Sequence, residues 1–304
     1  MEDGSRALTG EGFGFDRCSF PNLEGMLRAA CVLEATARKA GNVHPKRAFV
    51  DLTYRDFVVS ADDMAPILAR TQEFGVGQAI FDAVSATRDR VCRNTNLGIV
   101  LLLAPLAAVP VGVRLADGIN DVLGGLTRTD AEFAYRAIRL AQPAGLGEVE
   151  EQDISRPPTG TLLEVMRLAA DRDLIARQYA ENFALVLEFG LPYLSRVENF
   201  QKHWEPAIVG LQLELLARHP DSLILRKCGP EIAAEASRRA AAVLQAARPG
   251  TRDAQIALNE FDHWLRADGN RRNPGTTADL IAAMLFAAFR DGGLPVFSGP
   301  CRTE

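Results

Sequence analysis

The chain has 304 residues and a mass of 33.0 kDa, enough for one large domain or two small ones. Hydrophobic residues make up 47% and charged residues 24%, which supplies a sizeable core and excludes whole-chain disorder. A net charge of −5 argues against a general nucleic-acid binder, since that class carries a basic balance.

Residues 1–20 are polar, are punctuated by Gly4, Gly10, Gly12 and Gly14, and read as a flexible arm without the apolar run of a secretory signal. Helical periodicity begins near Pro21, with Met26, Leu27, Ala30, Cys31, Leu33 and Ala37 on one face. Phe49 to Ser60 fits either a strand or a loop followed by a helix. Leu97 to Val113 carries no charge and invites a membrane test. Its 17 residues sit at the lower limit for a span, and Pro105 and Pro110 interrupt them, so the segment is expected to be a buried core helix.

Ala141 to Gly160 is rich in proline and glycine, carries Glu148, Glu150, Glu151 and Asp153, and reads as a long loop. Four later helical stripes follow. Leu174, Ile175, Gln178, Tyr179, Phe183, Val186 and Leu187 form the first, and Ile208, Leu211, Leu215 and Leu216 the second. Ile256, Phe261, Trp264 and Leu265 form a weaker one, and Leu280, Ile281, Met284, Leu285 and Phe289 the last. The expected architecture is all-α: a single domain over residues 21–290, a bundle of about ten helices, and a tail over 291–304.

The five cysteines, at positions 18, 31, 92, 228 and 301, form no C-x-x-C pair and are odd in number. That argues against a disulfide scaffold or zinc ribbon and points to a reducing, cytoplasmic compartment. Walker, Rossmann, nucleophile-elbow and H-E-x-x-H motifs are absent. His44, His203, His219 and His263 have no ligand spacing and read as surface or structural residues.

Polar clusters gather instead at helix boundaries. Glu34 to Pro45 contains Arg38, Lys39, Gly41 and Asn42, which suits either a helix stop or an anion-binding turn. Arg88 to Gly98 ends in Asn94-Thr95-Asn96, where free N–H groups of the following helix would receive a phosphate. Asp173, Arg177 and Glu181 are spaced for one helix face, as a salt-bridged ladder or as carboxylates beside a cation. Asp221 with Arg226 and Lys227, and Asn273 through Asp279 with Thr276 and Thr277, complete the set. Cations at helix ends suit a polyphosphate, and carboxylates suit Mg²⁺ or proton transfer. The residues alone therefore point to an enzyme acting on a nucleotide-like substrate.

In this order the clusters resemble the triphosphoribosyl-dephospho-CoA synthase family. The resemblance spans Leu27 to Arg290 and rests on four motifs. These are Glu34 with Lys39, Gly41, Asn42 and Val43; Asn94-Thr95-Asn96 with Gly98; Pro220-Asp221-Ser222; and Pro274 to Leu280. Two prolines of the first motif are missing, and Val91-Cys92-Arg93 stands where the second usually has glycines.

The resemblance implies that ATP and dephospho-CoA are substrates, that Mg²⁺ assists, and that the product is a prosthetic-group precursor. The acceptor's 2′-hydroxyl would attack ribose C1′ of ATP, and adenine would leave. Glu34, Asp221 and Asp279 would act as base or Mg²⁺ ligands. Lys39, Arg226 and Lys227 would bind phosphate, with Arg177 and Glu181 as second choices. Gly41, Asn42, Asn94, Thr95, Asn96, Asn273, Thr276 and Thr277 would contribute to substrate binding. No nucleic-acid or membrane partner is expected, and a homodimer is compatible. Two alternatives stand beside this reading. One is ribosyl-phosphate transfer to a tetrahydromethanopterin-type precursor, and the other is a non-catalytic helical scaffold.

Overall fold

A computed structural model describes residues 22–143, 152–246 and 251–294. The N-terminal arm, the acidic residues Glu148, Glu150 and Glu151, and most of the C-terminal tail lie outside the described residues. The described residues form fifteen α-helices and one π-helical turn, rather than about ten helices. The first seven are α1 (Leu23–Thr36), α2 (Tyr54–Leu68), α3 (Thr71–Phe74), α4 (Val76–Val91), α5 (Leu97–Ala108), α6 (Leu115–Gly124) and α7 (Arg128–Ala141). Then come α8 (Leu162–Ala169), α9 (Leu174–Ala180), a π-turn (Leu185–Gly190), α10 (Leu191–Ser195) and α11 (Phe200–Arg218). The chain closes with α12 (Ser222–Cys228), α13 (Pro230–Ala246), α14 (Arg252–Arg266) and α15 (Gly275–Arg290).

The higher count has a local cause: polar residues start new helices inside stretches whose periodicity reads as continuous. Asp173 caps α9 by accepting from the Ile175 and Ala176 N–H groups, and Asp221 caps α12 through Leu223 and Ile224. Capping boxes start α2 (Thr53 with Asp56), α7 (Thr127 with Asp130) and α8 (Thr161 with Glu164). Phe49 to Ser60 resolves as a loop leading into α2, and the described residues contain no strand beyond an isolated bridge between His44 and Arg47.

Two helices are apolar almost all round, and such helices must be central. In α5 every residue but Gly98 and Ala108 is buried; in α15 everything from Leu280 to Phe289 is. The remaining helices pack around this pair: α1 lies against α2 and α15, and α4 against α2, α5 and α7. A second, smaller core joins the end of α11 to α12, α13 and α14 through Leu216, Ile224, Ala236, Phe261 and Leu265. None of the described helices is long and apolar enough to cross a membrane, and the uncharged segment is the buried helix α5.

Pro105 lies inside α5 and has no N–H to give to the Leu101 carbonyl. Tyr179 takes that place, its hydroxyl donating to Leu101 O at 2.6 Å. Burial pushes this phenol well above its usual range. At the other end, Arg290 donates to the Leu106, Val109 and Pro110 carbonyls at 2.8 Å each, closing the C-terminus of α5. Tyr179→Phe is therefore expected to leave a buried carbonyl unpaired and to lower unfolding free energy by about 1–3 kcal/mol, read by urea denaturation.

Candidate active site

The N-termini of α5 and α15 meet at the floor of a cavity of about 810 Å³, a size usual for small-molecule sites. Asn94, Thr95, Asn96 and Gly98 reach it from α5, and Gly275, Thr276 and Asp279 from α15. Glu34 enters from the last turn of α1, and Asn42 from the loop after it. Arg172, Asp173, Arg226, Lys227, Arg271 and Asn273 form a cation-rich wall. A cavity at which two helix N-termini and several cations converge favours anionic ligands.

Asp279 is the carboxylate the fold leaves open. Its side chain accepts no hydrogen bond from any described residue. It lies so close to Gly98 that a methyl group there would collide with its Oδ2 and approach Ile175 Cδ1 to 2.6 Å. Only glycine permits the N-terminus of α5 to approach this carboxylate. Burial raises the Asp279 pKa well above the usual carboxylate value, and the negative charges of Glu34, Asp221 and Asp173 add to the rise while Arg226 opposes it.

Glu34 has a different setting. Its Oε1 is 2.9 Å from Lys39 Nζ, and both side chains are almost wholly buried. Lys39 also donates to the Glu34 and Ala37 carbonyls, so it caps the C-terminus of α1. The chain then turns at Gly41, whose φ of +75° and whose contacts with Leu265 and Pro274 leave no room for a side chain. The second core holds this turn in place. Gln212 bonds Ala40 N and O and Asn42 Oδ1, Asp262 accepts from Gly41 N at 2.8 Å, and Arg266 donates to Asn42 O.

The structure therefore sorts the sequence-derived residues. Glu34, Asn42, Asn94, Thr95, Asn96, Arg226, Lys227, Asn273, Thr276 and Asp279 line one cavity. Lys39, Gly41, Arg177, Asp221 and Thr277 do not line it. The Asp221 side chain is fully buried, and both its oxygens are engaged. Oδ1 accepts from Leu223 and Ile224 N–H at 2.9 and 3.0 Å; Oδ2 accepts from Thr277 N and Oγ1 at 2.7 and 2.8 Å. It clamps α12 to the start of α15. Burial raises its pKa against the pull of these four hydrogen bonds. Arg177 donates from Nε to Ala170 O at 3.1 Å, at the end of α8, with Glu181 capping α9.

Within the cavity wall, Asn94 Oδ1 accepts from Leu97 N at 3.2 Å, Asn96 donates to Thr87 Oγ1 at 3.0 Å, and Thr95 shares a hydrogen bond with Ser60. Arg226 pairs with Asp173 at 3.2 Å, and Lys227 donates to Asn273 Oδ1 at 3.0 Å. Burial and the Arg226 charge lower the Lys227 pKa. Arg172, Asp173 and Arg271 fall within the polar clusters of the sequence but have no assigned site role there, and the structure adds them to the cavity wall. The signal for Asp173 was its place just before an apolar stripe, the position of an N-cap.

Among the described residues no cluster of three or more His, Cys, Asp or Glu is placed to hold a metal. Asp221 does not fit a Mg²⁺ ligand, because its oxygens are already saturated by protein donors. Glu34 and Asp279 do fit, since Mg²⁺ is commonly held by one or two carboxylates together with substrate phosphates and water.

Two stability outcomes follow. The raised Asp279 pKa means the folded state binds more protons than the unfolded state, so this group's contribution falls as pH rises through its folded pKa. Asp279→Asn should thus raise the urea midpoint of the ligand-free protein at pH 8 and narrow its difference from wild type at pH 5. Lys39→Ala should do the reverse, since it strands a buried carboxylate; a loss of about 3–5 kcal/mol is expected.

No curated protein matches the chain. Among solved structures, a candidate triphosphoribosyl-dephospho-CoA synthase from Archaeoglobus fulgidus is 27% identical, with a TM-score of 0.60. The match covers 77% of this chain and 98% of the archaeal one. The family model described as CitG, ATP:dephospho-CoA triphosphoribosyl transferase, matches residues 21–295. That span takes in both cores and every residue of the cavity wall, and the chain belongs to this transferase family.

Proposed function

We propose that the chain transfers the triphosphoribosyl group of ATP to the 2′-hydroxyl of dephospho-CoA and releases adenine. The observation that carries this reading is the single cavity in which the open carboxylate of Asp279, at the meeting of two helix N-termini, faces a wall of four cations. The C1′–N9 bond breaks and its electron pair leaves with adenine, which takes up a proton. The C1′–O bond forms, and the attacking hydroxyl loses its proton.

Each demand has a candidate in the cavity. Asp279, without a hydrogen-bond partner among the described residues and with its pKa raised by burial, is suited to accept the hydroxyl proton. Glu34, its charge balanced by Lys39 behind it, supports the positive charge that develops at C1′. Arg172, Arg226, Lys227 and Arg271 take the triphosphate, with Asp173 holding Arg226 and Asn273 holding Lys227 in place. Mg²⁺, held by Glu34 or Asp279, would neutralise triphosphate charge when bound. Lys39, Asp221 and Thr277 act one layer back, as supports for Glu34 and for the start of α15.

Adenine release, measured chromatographically with ATP and Mg²⁺, should require dephospho-CoA. Adenine independent of acceptor, or none at all with ATP still bound, would overturn the assignment and direct attention to phosphoribosyl diphosphate and a pterin-type alcohol. Asp279→Asn should lower kcat by about 10²–10⁴-fold while the protein stays folded. Gly98→Ala, which displaces the same carboxylate, should lose at least about tenfold in kcat with ATP binding retained.

A further inference from the structure

The polar end occupies only part of the cavity. On the side formed by α7 and α8 the wall is made by Tyr135, Ile138, Ile154, Met166, Leu168 and Ala169. The polar atoms here are already used. The Tyr135 hydroxyl donates to Gln152 O at 2.6 Å, and Asp153 Oδ1 accepts from Ser155 N and Oγ at 2.8 and 2.6 Å. Leu168 is 49% exposed at the cavity edge, although large apolar residues are usually covered. A charged phosphate would lose its hydration here without gaining a partner. An uncharged chain with methylene surface and a few amides would not.

We propose that this α7–α8 side is the subsite for the uncharged, thiol-ended amide arm of the acceptor. The inference rests on the proposed reaction and deepens it. Both substrates carry an adenosine and phosphates, so the cationic wall cannot tell one from the other. The arm is the part that distinguishes acceptor from donor. An apolar subsite next to an anion-binding wall admits the two nucleotides in one order: triphosphate among the cations, acceptor arm along α7 and α8. The acceptor ribose then lies between them, near Asp279. The subsite thus acts as a specificity determinant for the acceptor.

Two variants test it. Ala169→Phe fills the subsite, and Leu168→Ser removes apolar surface at an exposed position where misfolding is not at issue. KM for dephospho-CoA should rise about tenfold in Ala169→Phe and several-fold in Leu168→Ser, with KM for ATP and kcat within about twofold of wild type. ADP, which lacks the arm, should compete with equal strength against wild type and both variants. A rise in KM for ATP instead would place the donor's adenine on this side and overturn the proposal. So would an unchanged KM for dephospho-CoA. If wild type releases no adenine with dephospho-CoA, the reaction itself has failed. Pantetheine alone then decides the subsite by calorimetry: binding to wild type that Ala169→Phe abolishes supports it, and no binding overturns it.

Discussion

Two helices that are apolar on every side have only one place to go. Burying α5 and α15 together in the middle of the bundle is the constraint from which the site follows. A buried helix has a satisfied backbone along its length but not at its ends. At the C-terminus of α5, Arg290 supplies the missing donors. At the N-termini of α5 and α15 side chains take part of that role, Asn94 accepting from Leu97 N–H and Asp221 from Thr277 N–H, and both ends border a cavity. Polar side chains gather where the two central helices begin, while the flanks of both helices pack mainly against hydrocarbon.

That placement has an electrostatic cost, and the fold distributes it. Converging helix N-termini concentrate partial positive charge, which carboxylates offset. Asp173 and Asp221 do so as caps at α9 and α12, each accepting two backbone N–H bonds. Glu34 does so with its own cation behind it. Asp279 alone has no compensating donor, and it carries the strongly raised pKa. A buried Cys31 thiol lies within the field of the same two carboxylates, pushed upward first by burial and then by Glu34 and Asp279. Carboxylates therefore gather on the cavity floor and cations on the wall formed by Arg172, Arg226, Lys227 and Arg271. A substrate joining a cationic transition state to a polyphosphate tail matches that polarity.

The bundle was legible because its central helices are extreme: no charge between Leu97 and Val113, and an apolar run ending at Phe289. The number of helices was not, since α9 and α12 each begin at one aspartate that periodicity alone does not weigh. Motif residues were legible as a set, but their division of labour was not. Lys39 reads as a phosphate ligand from its neighbours in sequence. Only in three dimensions does its stem fold back along α1, so that the ammonium meets the last carbonyls and Glu34 instead of the ligand. Asp221 reads equally well as a metal ligand until Thr277, 56 residues away, takes its second oxygen. The α7–α8 wall gave no signal at all, because Ile138, Met166 and Ala169 have the spacing of ordinary core residues.

The same division explains how the family pattern can lose residues without losing the site. The first motif here lacks two prolines, yet its turn is fixed by contacts from the second core: Gln212 on both faces of Ala40, Asp262 on Gly41, and Arg266 on Asn42. Proline lowers the entropy of a turn in the unfolded chain, whereas these bonds stabilise the folded one. Either device holds Asn42 and Glu34 at the cavity floor. What neither can replace is the absence of a side chain at Gly98, because the space a Cβ would need is the space Asp279 fills. The site can therefore tolerate change in the residues that brace it far better than change in the glycine that lets two helix ends touch.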